Sequence, residues 1–253
     1  MVNLFLYSIV FLLGLVAGSF LNCAVYRLEI GRSFLKGRSF CPKCKHVLAW
    51  YDLIPLLSFL VLKSKCRYCR RKISLEYPLV ELITGVLFFL LFWHFGFGID
   101  LVFGFLISSF LVVIFIYDLK HYLIPDKVIY PAIILTFFYN LILWDLRSPT
   151  MAAFGAAGFF LAIVLVSRGK WMGIGDIKLA FLMGLILGWP NILVALFFAF
   201  FSGAIIGIGL VLANKKSFKS EVPFGPFLIA GTFVALFWGQ KLINWYVQSI
   251  YFN

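Results

Sequence analysis

Charge is what this sequence has least of. Only 13% of its 253 residues are charged, and just ten are acidic, whereas roughly a quarter of an ordinary soluble domain is charged. So few charges cannot clothe a water-facing surface, which excludes a conventional soluble domain and makes lipid the solvent for most of the chain. Basic residues ahead of the first apolar run are also missing. The run starts near residue 3 and the positive charge follows it. That order argues against a cleaved signal peptide, although Ala17-Gly18-Ser19 loosely resembles a signal-peptidase site, and predicts a retained first helix with the N-terminus outside. A glycine-rich nucleotide fingerprint is absent too, so no residue pattern marks a cofactor site.

What is present is apolar: 63% of residues, including 31 Phe, with seven Trp suited to lipid-facing and interfacial positions. Runs of spanning character lie at roughly 3–25, 77–97, 101–117, 128–145, 151–167, 177–189, 191–213 and 226–246. The sixth is short and ends at Trp189-Pro190-Asn191, a turn signal that predicts a tight connection to the seventh. Residues 53–62 are apolar but too few to span, and are expected to pack on the loop around them or lie at the interface.

The net charge of +12 would suit nucleic acid, but its distribution points elsewhere. Twelve of the 22 Lys and Arg lie between Arg27 and Lys72, opposed only by Glu29 and Asp52. Alternating spans from an outside N-terminus place 27–73, 118–127, 168–178 and 214–224 inside, and these hold 20 of the 22 basic residues. An asymmetry of this size follows the positive-inside rule. The prediction is an all-α polytopic membrane protein of about eight transmembrane helices, both termini outside, with a basic cytosolic loop between the first and second. Anionic lipid headgroups are the expected partner of that loop, and no nucleic acid is expected.

The loop carries Cys41-Pro42-Lys43-Cys44 and Cys66-Arg67-Tyr68-Cys69. Paired CxxC knuckles at this spacing can offer four thiolates to a tetrahedral Zn²⁺. Two disulfides or a redox dithiol are the alternatives. The first sits poorly with a reducing cytosol, and two motifs in one basic loop favour metal over the second. Four Cys ligands leave no open position, so such a zinc is structural. Cys23, inside the first apolar run, reads as a small buried hydrophobe, and His46 as a solvated loop histidine.

The acidic residues are few enough to weigh singly. Asp118 directly follows the run 101–117, and Asp176 directly precedes the run 177–189, so the topology puts both carboxylates in one layer of the membrane. A charge at a span end is ordinarily a boundary marker. Here, however, Asp176 closes Gly173-Ile174-Gly175-Asp176, where two glycines admit a close backbone, and Lys178 follows. Two carboxylates brought together share a proton and can activate a water between them. Asp126, after Pro125, reads as a helix N-cap. Glu81 enters an apolar run after Pro78, and either lies within the bilayer facing a cavity or partner, or sits near the interface paired with a loop Arg or Lys.

In order along the chain, these segments resemble the type IV prepilin leader peptidases of the GxGD aspartic protease group. The resemblance rests on Gly18-Ser19-Phe20-Leu21-Asn22 with Tyr26-Arg27, both CxxC pairs, and Tyr77-Pro78-Leu79-Val80-Glu81-Leu82. It continues through Asp118 to Asp126, Gly173 to Leu179, and Pro223-Phe224-Gly225-Pro226. It implies cleavage of the short basic leader of prepilins or pseudopilins after a Gly, at the cytoplasmic face of a bacterial inner membrane. For many members it also implies methylation of the new N-terminal residue from S-adenosylmethionine. It makes Asp118 and Asp176 the catalytic pair, with Gly173, Gly175 and Lys178 in support, and Cys41, Cys44, Cys66 and Cys69 the zinc ligands. No methyl-donor site is implied beyond Lys65 and Glu81 as candidates. The corresponding division of the chain is a first helix (1–26), a zinc-binding loop (27–76) and a peptidase core (77–253). Two departures from the family pattern are visible: Asp52 where many relatives carry Asn, and Ser64-Lys65 where many have Gly and a basic residue before Cys66. The second lies in the region associated with methyl transfer. A proton-coupled transporter with a regulatory zinc loop is the rival reading, but no inverted repeat is visible and the acids lie toward one face.

Overall fold

A computed structural model describes residues 2–33, 37–143, 145–213 and 222–251. Among them every regular element is helical: α1 (Val2–Glu29), a 3-10 turn (Trp50–Leu53), α2 (Leu57–Val61), α3 (Glu76–Phe95), α4 (Ile99–His121), α5 (Asp126–Ile142), α6 (Arg147–Ser167), α7 (Ile174–Leu187), α8 (Asn191–Leu212) and α9 (Gly225–Tyr251). Each apolar run read from the sequence is one of these helices. The chain is a multi-pass membrane protein in which α1, α3, α4, α6, α8 and α9 are long and apolar enough to cross a bilayer. The helices α5 and α7, at 17 and 14 residues, are shorter than that, so the expected eight crossings are not all met by length. Most of the expected inside segment 214–224 lies outside the described residues.

The chain divides into two compact units, Met1–Val113 and Ile114–Asn253. In the first, α1 packs along α3. Small residues allow the approach: a Cβ on Gly14 would stand 2.7 Å from the Gly85 Cα, and one on Gly18 2.7 Å from the Glu81 Cα. Between apolar helices in lipid, such backbone proximity and the polar contacts it permits supply the packing energy.

In the second unit α7 is the hub, packed against α5, α6, α8 and α9. Leu179, Ala180, Leu182 and Met183 have no exposed surface, as expected of a helix that is apolar all round. Asn140 of α5 donates its side-chain amide to the Leu185 carbonyl at 2.9 Å. The expected turn at Trp189-Pro190-Asn191 is present: α7 ends at Leu187 and α8 begins at Asn191, with Ser148 bonded to both the amide and the carbonyl of Trp189.

The segment 53–62 forms the end of the 3-10 turn and the short α2, and Trp50, Leu57, Leu60 and Val61 stand exposed.

Candidate active site and metal centre

The residues of the first unit's motifs act as staples. The Asn22 amide donates to the Tyr77 carbonyl at 3.0 Å. Buried Arg27 donates to the carbonyls of Gly37 and Arg38 at 2.8 and 3.1 Å, tying the start of the loop to the end of α1. Glu81, also buried, accepts the Leu56 amide at 2.9 Å and meets the Ser19 hydroxyl. Leu56 has φ 59 and ψ −47, and the Leu57 amide reaches the Pro55 carbonyl at 2.6 Å. That is a γ-turn of the strained, positive-φ kind. Of the two settings open to Glu81, the structure has the first: it is buried against a partner, the Leu56 backbone amide of the loop, rather than paired with a loop cation.

The two knuckles have the same construction. In the first, the Cys41 amide bonds the His46 carbonyl, the Lys45 amide bonds the Cys41 carbonyl, and Lys45 is left-handed. In the second, the Cys66 amide bonds the Arg71 carbonyl, the Arg70 amide bonds the Cys66 carbonyl, and Arg70 is left-handed. Isolated bridges Phe40–Val47 and Lys65–Lys72 close them. The sulfurs of Cys41, Cys44, Cys66 and Cys69 all lie within 4.8 Å of one another, and Cys41 and Cys69 are 4.0 Å apart. A tetrahedron with Zn–S bonds near 2.3 Å has edges of about 3.8 Å, so the four thiols fit that ion, and all are free thiols. Burial opposes ionisation of Cys41, but the Cys44 and Lys43 amides outweigh it and bring that thiol down to about 7, while the neighbouring sulfurs help push Cys44 up to about 11 and burial pushes Cys66 up. His46 is exposed, as expected of a loop histidine, and its ring also lies against Tyr68, ring centres 3.7 Å apart, joining one knuckle to the other. Asp52 accepts Arg67 at 2.7 Å and Tyr68 at 3.3 Å, binding the second knuckle to the Trp50–Leu53 turn. Lys65 is exposed on its knuckle.

The aspartates belong to the second unit. The sequence suggests that Asp118 follows its helix and Asp176 precedes its own; both are inside. Asp118 lies in the last turn of α4, 5% exposed, and the chain leaves that helix only at Tyr122, whose left-handed residue bonds the Asp118 carbonyl through its amide. Asp176 is the third residue of α7, and its Oδ2 accepts the Gly173 amide at 3.1 Å. A carboxylate on first-turn amides is favoured by the unpaired N–H groups there. Both carboxylates thus lie in the second unit, in end turns of their helices.

The two glycines of the motif differ. A Cβ on Gly175 would meet the Ile124 Cβ at 3.1 Å, so Gly175 makes room for the connection between α4 and α5. Beside Gly173, no other segment of the described residues comes within 4 Å of where a Cβ would stand. Lys178 is engaged by Asp126 at 2.5 Å and lies over the Tyr130 ring, 5.0 Å from its centre. Asp126 is therefore not the N-cap expected of it. Pro125 holds the cap position without a side-chain bond, and Asp126, the first residue of α5, ties that helix to α7. Sequence reading also missed Ile124 and the contact between Gly225 and Asp118 described below; their only sequence signals are a turn proline and a Pro-Phe-Gly-Pro turn.

Residues 12–95 match the model of the bacterial peptidase A24 N-terminal domain, and residues 105–208 that of the type IV leader peptidase family. A protein of Legionella pneumophila named prepilin leader peptidase/N-methyltransferase is 34% identical over 96% of this chain and 95% of its own length. The chain belongs to the type IV leader peptidase family. Proteins of the same name from Bacillus subtilis and Pseudomonas aeruginosa are 34% and 31% identical, over 95% and 94% of this chain and 98% and 92% of their own lengths. No solved structure matches. The transporter reading finds no support among these relatives. Ser64 has φ 60, a conformation that glycine adopts without strain.

Proposed function

We propose that this protein removes the short basic leader from type IV prepilins or pseudopilins at the cytoplasmic face of a bacterial inner membrane, and methylates the new N-terminal residue. What supports the peptidase reading is membership of this family, with Asp118 buried in the last turn of α4 and Asp176 in the first turn of α7.

An aspartic pair hydrolyses an amide with one carboxyl ionised and the other protonated. The ionised member takes a proton from the water between them as its oxygen attacks the scissile carbonyl carbon. The protonated member donates to the carbonyl oxygen. Collapse of the tetrahedral adduct breaks the C–N bond: the leaving nitrogen takes the proton that the first carboxyl gained from water, and a hydroxyl of the adduct returns a proton to the second carboxyl. The open side of Gly173, in extended backbone next to Asp176, leaves room for an extended peptide to lie alongside. Lys178, held by Asp126 and Tyr130, supports this arrangement by fixing α7 against α5.

In the loop, Cys41, Cys44, Cys66 and Cys69 would hold Zn²⁺, which supplies a rigid cross-link and no chemistry. Methyl transfer consumes S-adenosylmethionine as a second substrate. Glu81 is committed to the Leu56 amide, so its part in that reaction is to hold the loop, and Lys65, exposed, remains the candidate for contact with the donor. Trp50, Leu57, Leu60 and Val61, exposed beside Lys63 and Lys65, suit contact with a surface of anionic lipid. The test is to incubate purified protein in detergent with a prepilin and labelled S-adenosylmethionine. Leader loss followed by label on the new N-terminus is expected. An uncleaved prepilin would refute the peptidase reading, and cleavage without label would leave a peptidase alone.

A further inference from the structure

Asp118 is 5% exposed, and its Oδ2 has no hydrogen-bond partner among the described residues. What lies against it is the first residue of α9. A Cβ built on Gly225 would stand 2.5 Å from Oδ2 and 3.2 Å from Cγ. The Asp118 carboxylate therefore rests on the bare α-carbon of Gly225, at the positive end of a 27-residue helix. Pro226 follows and offers no N–H, so within this dipeptide the glycine amide is the one backbone donor.

The turn bearing Gly225 is itself held. Phe224 packs against Phe200, ring centres 5.1 Å apart, and against Phe160 and Phe227 at 6.2 Å each. The Phe227 and Leu228 amides bond the Phe224 carbonyl at 3.1 and 3.2 Å. An aromatic seat thus fixes the α-carbon that meets Asp118.

We propose that Gly225 is a positioning residue for peptide cleavage: its bare α-carbon, held by the Phe224 seat, sets the orientation of the Asp118 carboxylate. This rests on the reading of Asp118 and Asp176 as the catalytic pair. The physical argument has a convenient asymmetry. A side chain at Gly225 collides with the far end of a flexible side chain, not with backbone, so the protein can absorb it by rotating Asp118 away. Fold should survive where geometry does not, and a displacement near 1 Å at a catalytic group costs on the order of a hundredfold in rate.

The experiment measures leader cleavage by full-length Gly225→Ala, Phe224→Ala and Asp118→Asn in detergent, with thermal stability, zinc content and methylation of already cleaved pilin as parallel readouts. For Gly225→Ala, kcat should fall about a hundredfold with KM within about twofold of wild type, and the parallel readouts should not change. Phe224→Ala keeps the glycine but loosens its seat, and should lower kcat by a smaller factor, also without raising KM. It decides the matter if Gly225→Ala does not accumulate. Wild-type kcat in both variants, or a kcat loss matched by lost stability and zinc, would overturn the proposal. Asp118→Asn separates the levels: if it still cleaves, the catalytic pair is misassigned, whereas a dead Asp118→Asn beside a fully active Gly225→Ala refutes only the role of Gly225.

Discussion

Glu81→Ala should release the loop segment from 54 to 62 without disturbing the helices of its unit. The carboxylate is 8% exposed and accepts the Leu56 amide at 2.9 Å, across 25 residues of chain. A hydrogen bond to a charged group contributes about 1.5–3 kcal/mol. The positive-φ turn at Leu56 costs about 1–3 kcal/mol. Because the two are of similar size, the turn persists only while the bond does. Removing the acceptor should make opening of this segment easier by about 2–3 kcal/mol, or about 30- to 150-fold in its opening equilibrium. Glu81→Gln keeps an oxygen acceptor and loses only the charge assistance, near 1 kcal/mol or about fivefold. Hydrogen exchange of the full-length protein in detergent reads this directly: amides from Leu56 to Leu62 should exchange faster in the order wild type, Gln, Ala, with α1 and α3 unaffected. Unchanged exchange in Glu81→Ala would refute the reasoning, and lost methyl transfer with unchanged exchange would mean that Glu81 acts on the chemistry itself.

Three further outcomes are expected. Cys41→Ser or Cys66→Ser should remove the zinc and loosen residues 41–69, because a structural tetrathiolate site contributes folding energy outright; metal analysis should fall from about one zinc per chain, and disulfides in freshly extracted protein would contradict this. Asp126→Asn should be mild, since Asp126 is 60% exposed in its pair with Lys178 and exposed pairs contribute about 0–1 kcal/mol; a thermal melt and a cleavage assay within a fewfold of wild type are expected, and a dead enzyme would make Asp126 a catalytic group. Gly175→Leu should lower cleavage strongly by pushing Ile124 and the α4–α5 connection away from α7, and Ile124→Ala in the same chain should restore part of the rate; no restoration would mean that the glycine serves the substrate alone.

Much of this structure was legible because membrane helices and metal knuckles are written in local terms. Length and apolarity mark α1, α3, α4, α6, α8 and α9, apolarity alone marks the shorter α5 and α7, and cysteine type and spacing mark Cys41, Cys44, Cys66 and Cys69. The start of α7 was not legible, because Gly173-Ile174-Gly175-Asp176 carries loop-like residues and no apolar run, while the backbone is helical from Ile174. Asp126 was misread for a related reason: an acid after a proline looks like a cap, and its true partner, Lys178, is brought to it only by the packing of α5 on α7. Glu81 and Gly225 make the same point. Each meets a backbone group or carboxylate distant in sequence, at Leu56 and Asp118, and no periodicity encodes such contacts.

The central claim, that Asp118 and Asp176 are the hydrolytic pair, is tested most directly by leader removal with purified Asp118→Asn and Asp176→Asn beside the wild type. Asn keeps the shape but cannot exchange the proton, so each variant should lose cleavage by about a thousandfold or more. Zinc content should be unchanged, and each should still methylate pilin that has already been cleaved. Substantial leader removal by either variant would contradict the assignment.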